Sequence, residues 1–129
     1  MTTINFKREI SDSFDNAIER IIKALGAEGF GILTRIDMHS KIKEKTGKDI
    51  VPTVILGACN PNLAYEAYTA NSDVASLLPC NAVVREIAPG KISLELAAPS
   101  GMMQILGDAR LTRLALEADA LIQKALAKA

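Results

Sequence analysis

Asn81-Ala-Val-Val-Arg-Glu-Ile87, then Ala88-Pro-Gly-Lys91, then Ile92-Ser-Leu-Glu-Leu96 read as strand, turn and strand. Pro89 and Gly90 fill the second and third positions of a type II turn, where a fixed φ and then a positive φ are required. Ile92, Leu94 and Leu96 alternate with Ser93, Glu95 and Ala97, which predicts one buried face and one polar face. A tight turn of this kind pairs its two strands antiparallel. This hairpin therefore separates the chain from the doubly wound folds, whose neighbouring strands are joined by helices.

Reading upstream, Thr53 to Ala58 is apolar on both faces and predicts a buried central strand. Phe30 to Ile36 and Thr3 to Lys7 predict two further strands, the latter with Ile4 and Phe6 on one face. Between them, Phe14, Ala17, Ile18, Ile21, Ile22 and Leu25 recur at helical spacing, after caps within Ser11-Asp-Ser-Phe-Asp. Asp37 is expected to cap a short polar helix ended by Gly47. Asn60-Pro61 marks another helix start, with Leu63, Ala64, Ala67 and Tyr68 as its apolar stripe. Asp73 to Leu78 predicts a further helical turn broken by Pro79. Downstream of the hairpin come a short helix, Ser100 to Leu106, and a long one, Arg110 to Ala127. The order β-α-β-α-β-α-β-β-α-α predicts an α+β domain over residues 1–129, with a mostly antiparallel sheet of about five strands and helices on one face.

The 129 residues are 49% hydrophobic and 23% charged, enough to bury a core. Fifteen basic residues balance fifteen acidic ones and only 4% are aromatic, so no nucleic-acid partner is expected. No apolar run reaches membrane-helix length, and Met1 to Arg8 lacks a signal-peptide core; the expectation is a soluble, cytoplasmic protein without a membrane partner. Charge is uneven: from Ile50 to Val84 there is no Lys or Arg, and Glu66 and Asp73 are the only acids. That stretch is either core or a surface covered by something else.

The two cysteines carry the chief chemical signal. Cys59 lies in Leu56-Gly-Ala-Cys-Asn-Pro61 and Cys80 in Leu77-Leu-Pro-Cys-Asn81, each at the mouth of a predicted strand and each followed by Asn. Cys59 also precedes a helix N-terminus, where the dipole favours a thiolate. If the strands are close, the thiols could form a redox pair or hold a soft metal ion. A disulfide would need Cα atoms within about 7 Å. The plain reading is that free Cys is a small buried residue, and twenty intervening residues match no compact metal motif.

The other candidates are weaker. His39, the only histidine, is expected on an exposed helix, and Cys-His catalysis would require it to meet Cys59 or Cys80. No G-x-S-x-G elbow is present. Gly26-Ala-Glu-Gly29-Phe-Gly31 ends a helix and opens a strand, the reverse of a dinucleotide loop. Lys41, Lys43, Lys45 and Lys48 read as a solvated helix face, Asp37 as a cap, and Arg85 as a cross-strand partner or a carboxylate anchor.

Taken together, Phe30-Gly-Ile-Leu-Thr-Arg-Ile-Asp37, Leu56-Gly-Ala-Cys-Asn-Pro61 and Leu77-Leu-Pro-Cys-Asn81 resemble the bacterial and archaeal family called domain of unknown function 302, over nearly the whole chain. The resemblance implies a TATA-binding-protein-like arrangement of helices on an antiparallel sheet, and homodimers; it carries no activity, and cysteines at 59 and 80 look typical of one branch.

Three functions follow as expectations. The first is a homodimeric module that binds a small molecule or partner, without catalysis and without cofactor, its site at Cys59, Asn60 and Pro61 with Pro79, Cys80 and Asn81. The alternative is thiol-dependent redox chemistry or soft-metal binding through Cys59 and Cys80. A hydrolase or transferase built on Asp37, His39 and the lysines ranks last, because no spacing supports it.

Overall fold

The computed structural model describes residues 3–129. Its strands are β1 (Asn5–Ser11), β2 (Gly31–Asp37), β3 (Thr53–Cys59), β4 (Cys80–Ala88) and β5 (Lys91–Ala97). Its helices are α1 (Phe14–Ala27), α2 (Met38–Thr46), α3 (Pro61–Ala70), α4 (Pro99–Met103) and α5 (Thr112–Lys128). A 3-10 segment, Ser72–Leu77, links α3 to β4. The strands form one antiparallel sheet in the order β1-β5-β4-β3-β2, so the architecture is α+β with an open five-stranded sheet.

The hairpin closes as its sequence predicts. Gly90 takes a φ of 74°, and Ala88 pairs with Lys91 beside an irregularity at Glu86. Ser13 caps α1 by accepting the Asn16 N–H at 3.1 Å, and Gly47 ends α2 in the left-handed conformation. β1 is displaced from its expected span: Ile4 is exposed, and the strand runs on to Ser11, with Ile10 buried opposite Ile92. Pairing with β5 along its full length overrides the charges at Arg8 and Glu9. Arg8 faces the helices, where its Nη1 donates to the carbonyls of Leu126 and Ala127 at 2.8 and 2.9 Å and to Ala129 O at 3.1 Å. Arg20 of α1 reaches the same Ala129 oxygen at 2.9 Å.

Two apolar clusters result. The larger joins the inner sheet face (Val54, Leu56, Ala58, Ala82, Val84, Ile92, Leu94 and Leu96) to Ile18, Ile21 and Leu25 of α1 and Ile122 and Leu126 of α5. The smaller gathers Ala67, Val74, Leu111 and Leu114, with Leu63, Leu78 and Met103 against it. Tyr68 is 55% exposed and so lies off the α3 stripe in which the spacing placed it.

The opposite sheet face divides in two. Ile36, Ile55 and Val83, with Ile50 and Val51 beside them, make an apolar half; Lys7, Glu9, Ser93, Glu95 and Arg85 make a polar one. Ser93 and Glu95 were expected in solvent but are buried. Arg85 Nη2 reaches Glu95 Oε1 at 3.3 Å, and the Ser93 hydroxyl donates to Glu95 Oε2 at 3.0 Å, which holds the carboxylate flat on the sheet. Arg85 is thus a cross-strand partner, although its buried Nε–H has no acceptor among the described residues.

Candidate functional site

The site grows from a register. Ala58 of β3 lies directly opposite Cys80 of β4, so Cys59 stands one residue beyond that pair. Cross-strand neighbours are about 4.5–5.5 Å apart and successive residues about 3.3 Å along the strand, so the two cysteines are diagonal neighbours with Cα atoms about 6 Å apart at one end of the sheet, Cys80 in phase with the inward Ala58 and Cys59 in phase with the outward Gly57. Both are free thiols and half-buried.

Immediately after Cys59 the chain turns into α3. Asn60 Oδ1 accepts the Leu63 N–H at 3.3 Å, and Pro61 occupies the first turn. Pro61 has no N–H and Asn60 takes that of Leu63, which leaves few donors at this terminus for an anion. Before Cys80, Pro79 packs on Gly57 through a cis Leu78–Pro79 bond.

Where the two apolar clusters meet, packing is incomplete. A cavity of about 50 Å³ remains, lined by Phe30, Ala58, Cys59 and Asn60 from the sheet end, Leu63, Ala64, Ala67 and Leu78 from α3 and its sequel, and Pro99, Met103, Leu111, Leu114, Ala115 and Ala118 from the C-terminal helices, together with Cys80. The lining holds no Asp, Glu, His, Lys or Arg. Walls of this kind suit apolar guests. Burial pushes the Cys80 thiol up to about 11, with charge on Cys59 and on Asp119 adding to the effect. At neutral pH it is a thiol and not a nucleophile.

Of the six residues singled out from sequence, Cys59, Asn60 and Cys80 line this cavity. Pro79 and Asn81 instead line, with Cys80, a separate cleft of about 240 Å³ that also touches Ser76 and Met102. Pro61 lines neither and is exposed. The α5 wall was missed. Leu114, Ala115 and Ala118 have the spacing of a core stripe, and nothing in that spacing distinguishes a residue packed against a neighbour from one facing a void.

Two other expectations are corrected and a third holds. Asp37 makes no cap hydrogen bond to α2; its carboxylate accepts from Arg35 Nε and Nη2 at 3.2 and 3.1 Å. His39 is not a solvated surface residue: its Nδ1 lies 3.0 Å from the Thr53 nitrogen, and its ring stands edge-on to Phe14 at 6.0 Å. Thr53 begins β3 and Cys59 ends it, about 20 Å away at strand rise. Within one chain His39 therefore meets neither thiol. The lysines behave as a solvated face: Lys41 pairs with Glu44, Lys43 with Asp49, and α2 buries no residue. Among the described residues, no three His, Cys, Asp or Glu side chains cluster as metal ligands, and no helix is long and apolar enough to cross a membrane.

No curated protein matches the chain. A crystal structure described as an uncharacterized conserved protein DUF302 from Bacillus stearothermophilus is similar to it at TM-score 0.90 and 28% identity, over 98% of each chain. The family profile described as domain of unknown function DUF302 matches residues 6–129. With the match extending from β1 through α5, the chain belongs to the DUF302 family.

Proposed function

We propose that this protein is a homodimeric binding module whose ligand is a small, uncharged, apolar molecule held in the cavity between Cys80, Leu63 and Leu114. The observation that carries the reading is the cavity itself: an apolar void at the seam of two cores, walled by side chains that bind rather than react. The test is methyl NMR of the reduced protein titrated with xenon. Shifts confined to Leu63, Met103 and Leu114 support it; shifts scattered over the molecule, or surviving in Ala118→Val, which fills the void, overturn it.

The dimer reading has its own support. Ile36, Ile50, Val51, Ile55 and Val83 leave an apolar, uncharged strip on the open sheet face, bordered by residues of both signs. Two copies can meet on such a strip without opposing like charges, with the polar half-sheet as rim. Sedimentation equilibrium checks this: a wild-type dimer that Val83→Lys converts to a monomer is expected, and a wild-type monomer at all concentrations overturns it.

The thiol reading is the second, favoured by one specific observation. Cys59 and Cys80 line one cavity, at adjacent positions of neighbouring strands. Reaction of the reduced protein with oxidised glutathione tests it: a Cys59–Cys80 disulfide, seen as the loss of two hydrogens, is the expected product.

A further inference from the structure

Within the apolar-ligand reading, on which this step rests, the space around α4 narrows the choice of ligand. The cavity of about 50 Å³ is far smaller than an ordinary ligand site of about 300–1,000 Å³. A cleft of about 400 Å³ adjoins it, and the two share Met103, Leu111 and Ala115 as a common wall. Methionine is unbranched and flexible, and Met103 ends a helix of five residues that is followed by a single 3-10 turn, Gln104–Leu106. The cleft at Pro79 and Asn81 also borders α4, through Met102, and shares Leu78 and Cys80 with the cavity. With space on several sides of α4, a rotation of the Met103 side chain joins cavity and cleft at little cost in packing. The joined space changes in chemistry along its length. Its inner end carries no charged residue. Its outer end runs past Leu116, which is 57% exposed, to Ser100, Asp108 and Thr112. No Lys, Arg or His lines that end. Asp108 is its one charged residue, and its carboxylate is already taken by Arg110 Nη2 at 2.6 Å and Asn71 Nδ2 at 3.1 Å. An anionic headgroup would meet a carboxylate and no lining cation, and a cationic one would find that carboxylate engaged. A neutral hydroxyl meets the Ser100 and Thr112 hydroxyls, which both donate and accept. Along α5 the two linings run from Thr112 to Ala118, about 9 Å of helix axis, a span that an alkyl chain of octanol length covers. We infer that the ligand is a neutral linear amphiphile of the medium-chain alcohol class, with its alkyl chain in the cavity and its hydroxyl in the cleft beside Thr112.

The experiment is methyl NMR of the reduced full-length protein titrated in parallel with 1-octanol, octanoate and xenon. Octanol should shift Leu116 of the cleft and Leu63 and Leu114 of the cavity together, along one saturation curve. Octanoate, of equal chain length, should bind about tenfold more weakly or worse at neutral pH, because its charge goes unpaired. Leu116→Glu alters an exposed residue that does not line the cavity. It should weaken octanol by about tenfold and leave xenon uptake as in the wild type. Xenon in the cavity with octanol confined to the cleft overturns the alcohol site while the apolar-ligand reading stands. Octanoate bound as tightly as octanol, with xenon in the cavity, does the same. Neither xenon nor octanol reaching Leu63 and Leu114 overturns both.

Discussion

Pro79 rests on the bare Cα of Gly57 at the outer face of β3. A Cβ added at residue 57 would fall 2.7 Å from the Pro79 Cγ and run into the Thr34 hydroxyl as well. Absence of a side chain at 57 thus lets the segment before Cys80 lie close on the sheet, and so fixes where Cys80 enters it. Gly57→Ala should overpack this contact and lower stability by about 1–3 kcal/mol. Urea unfolding is the check, with a lower midpoint and an unchanged slope expected. Thr34→Ala in the same chain should recover part of the loss; strict additivity would mean that the hydroxyl is not the obstacle.

Arg8 ties opposite ends of the described chain together. One nitrogen serves Leu126, Ala127 and Ala129 in the last turn of α5, where unpaired carbonyls favour a cation. Arg8→Met keeps the stem and removes the donor. A loss of about 1–2 kcal/mol is expected. Hydrogen exchange should quicken in the final turn of α5 and remain unchanged in α2, which Arg8 does not touch. Equal quickening in both helices would refute the local account.

Asp12 supplies a pH dependence on the acid side. Its carboxylate accepts from Arg20 Nη1 at 2.8 Å, Asn16 Nδ2 at 2.6 Å and the Ser13 N–H at 2.7 Å, which together hold its pKa below the ordinary value. A carboxylate lowered in the folded state adds stability above its unfolded pKa, and that contribution fades as pH falls through the folded value. Melting temperature should therefore drop more steeply below about pH 4 in the wild type than in Asp12→Asn. Parallel acid limbs in the two proteins would show that the pairing has no thermodynamic weight.

How far the sequence could be read differs between fold and site, for physical reasons. Periodicity and turn chemistry are local, so the hairpin at Pro89-Gly90, the Asn60-Pro61 helix start and the antiparallel sheet were legible. Side-chain pairings that depend on a third element were not. Asp37 stands where a cap belongs, but Arg35, two residues earlier on β2, captures its carboxylate. Glu95 has the phase of an outward residue and is buried because Arg85 and Ser93 hold it down. The cysteines' neighbourhood could be suspected because each begins or ends a strand, whereas the register that joins them is a property of pairing. The cavity was invisible, since a void is made by what Leu114 and Ala118 fail to touch.

Cys80 sets a pH dependence on the alkaline side, and its sign is opposite to that of Asp12. Desolvation, charge on Cys59 and charge on Asp119 raise the folded thiol to about 11 from an ordinary value of 9.0. An acid whose pKa is raised by folding is more readily ionised in the unfolded chain. Stability is therefore undiminished below about pH 8.5 and falls as pH climbs toward 11. The full effect is about 2–3 kcal/mol at the alkaline end. Cys80→Ala removes this component, so the difference in urea midpoint between wild type and variant should shrink between pH 8.5 and 11. Alkylation offers a second reading of the same energy: at pH 7.5 Cys80 should react with iodoacetamide far more slowly than a model thiol, because the thiolate is the nucleophile. A midpoint difference that stays constant across this range, together with rapid alkylation at pH 7.5, would place Cys80 in contact with water rather than in the apolar cavity.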